Sequence, residues 1–188
     1  MQPMLAQGGF TRRQFLGGGA LAVIAFGAAG WLAARVTDGS PAPLAGTFKI
    51  LGAGEQQMLA GIADAVLDGA LPDQPPARTE WLTRIVQNID SSLSCLPLEL
   101  QQDTQKLLAM LTFAPTRLLV TGEWSGWPSA SRDVVAGRLK ALSESPNDTR
   151  RIVYRVLRDL AVAGFYSDRR SWSLIGYPGP VIDRVENG

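Results

Sequence analysis

Few side chains in this sequence are spaced in a way that could support acid–base chemistry. Asp64 and Asp68 lie four residues apart, a spacing that places both carboxylates on one side of a helix. Glu123 stands next to Trp124 and close to Trp127, and a carboxylate among indole rings could bind a sugar. A carboxylate-based lyase or glycosidase is therefore one hypothesis, although solvation on the polar face of a helix explains Asp64 and Asp68 better.

Histidine is absent from all 188 residues. Its absence excludes His-based general acid–base catalysis, Ser-His-Asp and Cys-His arrangements, and histidine metal sites. The single cysteine, Cys95, cannot hold an iron–sulfur cluster alone, and no Cys-x-x-Cys-His sequence is present for covalent haem. No Gly-x-Gly-x-x-Gly sequence follows a strand-like run. We therefore expect no catalytic, cofactor-binding or metal-binding residues in this chain.

Two adjacent arginines near the N-terminus indicate export. Arg12 and Arg13 are followed by Phe15 and Leu16, and an uncharged run then covers residues 17–34. A charged head before an apolar run is the layout of an export signal, and the arginine pair is typical of the twin-arginine machinery of bacteria, which exports folded proteins. The alternative is a membrane anchor, since the run is close to the shortest length that spans a bilayer. Both interpretations place the rest of the chain outside the cytoplasm, and cleavage of the leader stays open.

The elements that would position any site are predicted to be helical. Apolar residues recur at helical spacing after residue 48, and no run alternates as a strand would. We predict an all-α fold, a small irregular bundle of about five helices with an extended C-terminal arm rich in proline, glycine and aromatic residues. The predicted organisation is a twin-arginine signal or anchor (1–34), a linker (35–47), a helical domain (48–166) and an extended partner-binding arm (167–188).

The apolar stripes give the expected helices and their buried faces. The first ends at Gly69, the second covers Thr79–Ser94 with Asp90 on its polar face, and a short helix is expected at Thr116–Thr121. Three further predictions concern individual residues in the remaining helices: Leu100 buried in the third, Val134 buried in a fourth capped by Ser129 or Ser131, and Ile152 buried in a fifth capped by Ser145.

Two further features allow alternative interpretations. Cys95 is a lone thiol in a chain predicted to be exported, so it is either a small buried residue between Leu93 and Leu96 or half of an interchain disulfide. Three arginines of the last helix, namely Arg151, Arg155 and Arg158, form either a solvated face or a charged contact with a partner chain.

The C-terminal arm combines large apolar residues with helix breakers. Prolines and glycines between residues 176 and 180 disfavour a helix, yet Trp172, Leu174, Ile175 and Tyr177 are large and apolar. A terminal segment of this kind is rarely left in water, so it either folds back on the bundle or lies on another protein. The chemistry of the residues leaves both open.

The same arm resembles a known family. Phe165-Tyr166-Ser167, Trp172 and the run from Ile175 to Pro180 are similar to the C-terminal signature of the gluconate 2-dehydrogenase subunit 3 family. The helix that ends with Ile62–Leu67 and is followed by Pro72, and the leader at 11–16, also resemble that family. The resemblance covers most of residues 1–182, and the Gly-Tyr-Pro-Gly-Pro run is its most specific part.

The resemblance implies a small, non-catalytic subunit of a bacterial membrane-associated dehydrogenase. Its implied partners are a large FAD-binding subunit of the glucose–methanol–choline (GMC) type, a multihaem cytochrome c subunit that carries haem c, and the twin-arginine export machinery. The implied location is the periplasm at the outer face of the inner membrane, with this chain escorting the flavin subunit outward.

No nucleic-acid partner is expected, because the formal net charge of +1 lacks a basic excess. A free-standing periplasmic binding module is the other alternative. The residues expected to bind the partner are Trp172, Leu174, Ile175, Tyr177, Pro178 and Pro180, with Trp124 and Trp127 as weaker candidates.

Overall fold

Every regular element in the described part of the chain is an α-helix. The computed structural model describes residues 42–121, 126–127, 130–174 and 176–178. The predicted all-α class is confirmed, and the bundle is irregular because its helices differ greatly in length. The helices are α1 (Ala53–Val66), α2 (Ala77–Ser94), α3 (Leu98–Thr112), α4 (Ala114–Thr121), α5 (Arg132–Ser143), α6 (Asp148–Tyr166) and α7 (Arg169–Leu174).

Helix α1 lies at the centre of the bundle. It packs against α2, α3, α5 and α6, and its Met58, Ile62 and Ala63 are completely buried. Helix α6 packs against α2 and α5 as well, so these four helices enclose most of the core. Removing this apolar surface from water is the main stabilising contribution to the fold.

Helix α6 approaches α2 closely at Gly164. A Cβ atom at this position would lie 2.8 Å from the carbonyl oxygen of Ile85 and 2.8 Å from Cγ1 of Ile89. The side-chain amide of Asn88 donates to the carbonyl oxygen of Gly164 at 2.9 Å. A larger residue would therefore separate the two helices, and their contact fixes the end of α6 from which the C-terminal segment leaves.

The N-terminus of α6 differs from the prediction by two residues. Asn147 is the N-cap, and its Oδ1 accepts a hydrogen bond from the backbone N–H of Thr149 at 2.8 Å. The hydroxyl of Ser145 instead accepts the backbone N–H of Asn147 at 3.2 Å. The predicted cap at Ser145 is therefore wrong, because an asparagine closer to the first turn satisfies the helix donors equally well.

Three residues predicted to be buried are exposed: Leu100, Val134 and Ile152. Val134 and Ile152 each stand directly before a buried valine, at the edge of the buried face of their helices, whereas Leu100 lies in the half of α3 that has no buried residue. In α3 the buried residues are confined to Leu108 and Leu111, in the C-terminal half of the helix. The spacing of apolar residues thus predicts the buried face of a helix approximately, but neither the edges of that face nor its extent along the helix.

Asp90 was assigned to the polar face of α2, and this prediction is also wrong. Its side chain is 2% exposed and its carboxylate accepts the backbone N–H groups of Lys49, Ile50 and Leu51 at 2.7, 2.9 and 2.9 Å. A buried carboxylate is tolerated where several donors replace its lost water. The segment before α1 therefore lies on the bundle, including described residues of the predicted linker.

Candidate partner-binding surface

The C-terminal segment begins with a helix that the sequence prediction did not include. Asp168 acts as its N-cap, since Oδ1 accepts the backbone N–H of Arg170 at 3.0 Å. Ser171 is fully buried, and its hydroxyl donates to the carbonyl oxygen of Asp168 at 2.7 Å. The predicted arm is therefore helical at Arg169–Leu174. An Asp at N-cap was the signal that could have indicated this helix.

Gly176 and Tyr177 end α7 in a Schellman motif. Gly176 has a φ of +70°, a conformation that favours glycine. The N–H of Tyr177 donates to the carbonyl oxygen of Trp172 at 2.9 Å, and the N–H of Gly176 donates to that of Ser173 at 3.3 Å. The rings of Trp172 and Tyr177 meet edge to face, with centroids 5.5 Å apart. This is the apolar contact that commonly accompanies the motif, so the Gly-Tyr pair has a local structural reason.

Helix α7 is held to the start of α2 by Arg170. The guanidinium lies over the ring of Trp81, with Cζ 4.4 Å from the centroid, and Nη1 is 3.2 Å from the carboxylate of Glu80. Nη2 of Arg170 is 2.9 Å from Oδ2 of Asp168. Hydrogen bonds from Arg170 are the main cause that lowers the pKa of Asp168, while burial acts in the opposite direction. Neither Arg170 nor Glu80 was selected from the sequence.

One side of this segment remains in contact with solvent. Leu174 is 59% exposed and Tyr177 is 46% exposed, and Tyr166 at the end of α6 is 44% exposed. Trp172 is half-buried, and its indole N–H donates to the carbonyl oxygen of Tyr166 at 2.8 Å. Pro178 is exposed. We call Tyr166, Trp172, Leu174, Tyr177 and Pro178 the C-terminal patch.

The C-terminal patch contains four of the predicted partner-binding residues. The structure places Trp172, Leu174, Tyr177 and Pro178 together, and it adds Tyr166. Ile175 and Pro180, which were also predicted, lie outside the described residues. The segment thus combines the two alternatives left open by the sequence, since one side packs on the bundle and the other is uncovered.

Trp127 does not belong to this surface, and its prediction as a partner contact is wrong. The residue is 1% exposed, its indole N–H donates to the carbonyl oxygen of Leu111 at 3.1 Å, and Cζ of Arg138 lies 5.6 Å from its ring centroid. Neighbouring glycines and a proline indicated a loop, but a loop can still insert its tryptophan into the core. Trp124 lies outside the described residues.

Cys95 is exposed, so its interpretation as a buried small residue is wrong. It is the C-cap residue of α2, and its N–H donates to the carbonyl oxygen of Ser92 at 3.2 Å. Leu93 is buried, whereas Leu96 is exposed. The chain turns away from the core between these two leucines, which explains why the thiol lies in solvent. The interchain disulfide remains a prediction.

The carboxylates considered for catalysis are engaged in ion pairs. Nε of Arg78 is 2.5 Å from Oδ1 of Asp64, and its Nη2 is 3.5 Å from Oδ1 of Asp68. Nη1 of Arg132 is 2.5 Å from the same oxygen of Asp68. These pairs join α1 and the turn that follows it to the first turns of α2 and α5, so both carboxylates have a structural explanation. Glu123 lies outside the described residues.

The arginines of α6 are largely engaged within the helix. Arg151 donates to Asp148 and to the carbonyl oxygen of Ser145, and Arg158 pairs with the adjacent Asp159 at 2.8 Å. Arg155 is exposed. These contacts favour the solvated-face interpretation over a charged contact with a partner.

The export-signal residues Arg12, Arg13, Phe15 and Leu16 lie outside the described residues. Among the helices that are described, none has both the length and the apolar character to span a bilayer. The same described residues contain no group of three or more acidic or cysteine side chains that could hold a metal ion.

Comparison with known proteins gives no assignment. No protein-family model matches the chain, and neither a curated protein nor a solved structure shows significant similarity to it. The functional interpretation therefore depends on the residues and on the geometry of the C-terminal patch.

Proposed function

We propose that this chain is the small, non-catalytic subunit of a periplasmic, membrane-associated flavin-dependent sugar or alcohol dehydrogenase. It escorts a folded, FAD-binding subunit of the GMC type through twin-arginine export and stabilises the resulting complex. A multihaem cytochrome c subunit completes the proposed assembly as electron acceptor. The observation that carries the proposal is the C-terminal patch, where large apolar side chains remain in solvent although the segment is anchored to the bundle.

The residue types of the patch favour a protein partner. Tryptophan and tyrosine dominate the energies of protein interfaces because each buries a large area while ordering few rotatable bonds. Trp172 and Tyr177 supply such groups on one short segment, and the exposed Leu174 lies between them in the sequence. The indole N–H of Trp172 is already paired with the carbonyl oxygen of Tyr166, so a partner that covers the ring leaves no donor unsatisfied.

The anchoring of α7 supports the same proposal. The contacts of Arg170 with Trp81 and Glu80 hold the helix before any partner arrives. The Schellman motif fixes Tyr177 against Trp172. A surface held in its binding conformation loses less conformational entropy on association, so preorganisation of this kind increases affinity.

The first experiment measures flavin that co-purifies with the exported chain. The tagged full-length chain is purified from the periplasm of its host, and released FAD is quantified by its absorbance. We expect the wild type to carry FAD in a fixed ratio to protein, and the double variant Leu174→Asp/Tyr177→Asp to lose about 90% of it, because two charges would have to be buried.

Ile152→Asp is the matched control for the patch variant. Ile152 is equally exposed and lies on the same helix as Tyr166, about 21 Å away at 1.5 Å per residue. It should retain the wild-type ratio of FAD to protein. A wild-type protein that contains no FAD, or equal FAD in the patch variant, would contradict the proposal.

The second experiment tests the export signal. Replacing Arg12 and Arg13 by lysines should leave both this chain and the flavoprotein in the cytoplasm, because the flavoprotein is proposed to travel as cargo. Both proteins are followed by fractionation. Undiminished export of the flavoprotein would count against escort, even if the two proteins still bind.

A free-standing binding module is the second candidate, and one observation favours it. Helix α7 is already anchored to its own bundle through Arg170 and Ser171, so part of the segment needs no partner. This candidate predicts a monomer in the periplasm whose elution volume in gel filtration is unchanged by the double patch variant.

A further inference from the structure

The ten residues that precede α1 and its N-cap Gly52 lie on the surface of α1 and α2. We call residues 42–51 the N-terminal strap. Four polar side chains hold its backbone: Gln56 and Gln57 of α1, and Gln87 and Asp90 of α2. The predicted export leader ends at residue 34 and the predicted linker covers residues 35–47, so the strap includes the end of that linker and is part of the junction between the leader and the helical bundle.

Asp90 makes the strongest of these contacts. Both oxygens of the buried carboxylate accept hydrogen bonds, from the N–H groups of Lys49, Ile50 and Leu51 at 2.7 to 2.9 Å. Hydrogen bonds to an ionised acceptor are about twice as strong as neutral ones. Three consecutive donors are thus satisfied by a single side chain that projects from a helix about 40 residues later in the sequence.

Glutamine side chains hold four further backbone groups of the strap. Gln56 accepts the N–H of Leu44 at 2.9 Å and donates to the carbonyl oxygen of Leu51 at 2.8 Å, so it spans the strap. Gln57 donates to the carbonyl oxygen of Ala42 at 2.7 Å. Polar contacts therefore continue to the first described residue of the strap.

Gly46 allows the strap to approach α2. Its φ is +112°, and a Cβ atom there would lie 2.1 Å from Nε2 of Gln87. The same Nε2 donates to the carbonyl oxygen of Ala45 at 3.3 Å. Any other residue at position 46 would be strained by its backbone conformation and would displace the side-chain amide of Gln87 from the strap.

Apolar side chains complete the contact. Leu51 is buried in the core, and Leu44, Phe48 and Ile50 are partly buried against it. The strap thus binds as an extended peptide does, with backbone polar groups paired to the surface and apolar side chains pointing inward. The binding surface exists only after α1 and α2 have packed together.

We propose that the N-terminal strap is a folding-dependent latch that closes the junction between the predicted leader and the bundle against proteolysis. A protease must bind its substrate as an extended, unpaired backbone. In the latched strap the N–H groups of Lys49, Ile50 and Leu51, which flank the bond after Lys49, are already paired with Asp90. In the folded protein, removal of the leader then leaves residues 42–51 on the bundle. In an unfolded chain the strap is open and the junction can be cut.

Lys49 provides a direct test, because trypsin cuts after lysine and the next amide is held by Asp90. The full-length chain is digested with limiting trypsin, and fragments that start at Ile50 are counted by intact-mass spectrometry. We expect cleavage after Lys49 to be at least about tenfold faster in Asp90→Asn and Gly46→Ala than in the wild type. The glycine-matched control is Gly137→Ala, which has open space around its Cβ and should resemble the wild type.

Cleavage after Arg155, which is exposed in α6, separates opening of the strap from global unfolding. If the latch opens by itself, cleavage after Lys49 rises by a clearly larger factor than cleavage after Arg155, which follows global unfolding. The proposal is overturned if Lys49 is cut equally fast in all four proteins, or if the two sites accelerate by the same factor. The latch is independent of the proposed escort function, since this digestion requires neither a partner nor export.

Discussion

The two ends of the helical bundle are both attached to α2, but by different chemistry. The N-terminal strap is held by the buried carboxylate of Asp90 and by glutamine amides. The C-terminal segment is held by Arg170, whose contacts with Glu80 and Trp81 lie near solvent. Buried charge-assisted hydrogen bonds are strong, whereas exposed ion pairs are weak because water screens them.

The two segments also orient their apolar residues differently. The strap directs Leu44, Phe48 and Leu51 toward the core. The C-terminal segment leaves Leu174 and Tyr177 in solvent. The apolar side chains of the strap are thus covered by this chain itself. The C-terminal segment, in contrast, still has apolar surface that another molecule can cover.

Substitution of Asp90 and of Glu80, two carboxylates of α2, compares the two attachments directly. The Asp90 substitution should give the largest effect of all the predictions. We expect Asp90→Ala to lower the free energy of unfolding by about 3 kcal/mol or more, because three backbone donors lose a charged acceptor in a buried site. Glu80→Ala should lower it by less than about 1 kcal/mol, because its partners Arg84 and Arg170 are half-exposed. Urea denaturation followed by circular dichroism measures both.

Similar losses in the two variants would contradict the distinction between a buried and an exposed attachment. Asp103→Ala serves as a further control, since its carboxylate pairs with Lys106 on the outside of α3. Its effect should be within about 0.5 kcal/mol of zero, as is usual for surface substitutions.

The contrast between Asp90 and Glu80 also shows how far the sequence predicts the structure. Helical periodicity located α1 to α6, including the short α4, but not α7. It assigned Asp90 to solvent, since the pattern carries no information about backbone donors that arrive from a distant segment. Trp127 was misplaced for a related reason: its burial depends on Leu111 and Arg138, which are remote in sequence.

The candidate site was predicted in part. The sequence identified Trp172, Leu174 and Tyr177 through their size and position, and the structure shows Leu174 and Tyr177 exposed. It did not predict α7, because the nearby prolines and glycines suggested an extended arm. Glycine ends a helix in a Schellman motif and is also common in extended loops. Gly176 is therefore compatible with a short helix before it as well as with an extended arm.

Replacing Arg170 by lysine should weaken the attachment of α7 with a moderate effect. Lysine keeps the charge but loses the planar contact with Trp81 and the paired hydrogen bonds to Asp168. We expect amide hydrogen exchange in residues 169–177 to accelerate about two- to fivefold, as loss of a cation–π contact of about 0.5 to 1 kcal/mol implies. Hydrogen exchange with mass spectrometry measures this.

The N-terminal strap is the internal reference in the Arg170→Lys experiment. Its exchange should remain unchanged, because Asp90 and the glutamines do not contact Arg170. Equal acceleration in the strap would show that the two ends open together and are not independent. Arg155→Lys, on the exposed side of α6, should change neither segment.

Acidification should loosen the C-terminal segment, with the smallest effect of the three. Arg170 lowers the pKa of Asp168 below its ordinary value of 3.8, with a weaker contribution from Arg84. Because the folded pKa is lowered, the carboxylate stabilises α7 fully above the unfolded value, and this contribution is lost as the pH falls through the folded value. The indole N–H resonance of Trp172, which donates to Tyr166, reports this change by NMR.

A local probe is needed because Glu55 titrates with the opposite sign near the strap. Burial raises the pKa of Glu55 above 4.5, although the hydrogen bond from the N–H of Gly52 opposes the shift. Its contribution to stability is therefore present below the unfolded pKa and lost as the pH rises through the folded one. A measurement of global unfolding against pH would combine the opposite contributions of Asp168 and Glu55. Asp168→Asn should abolish the acid-dependent shift of the Trp172 resonance, and a shift of unchanged size in that variant would assign it to another group.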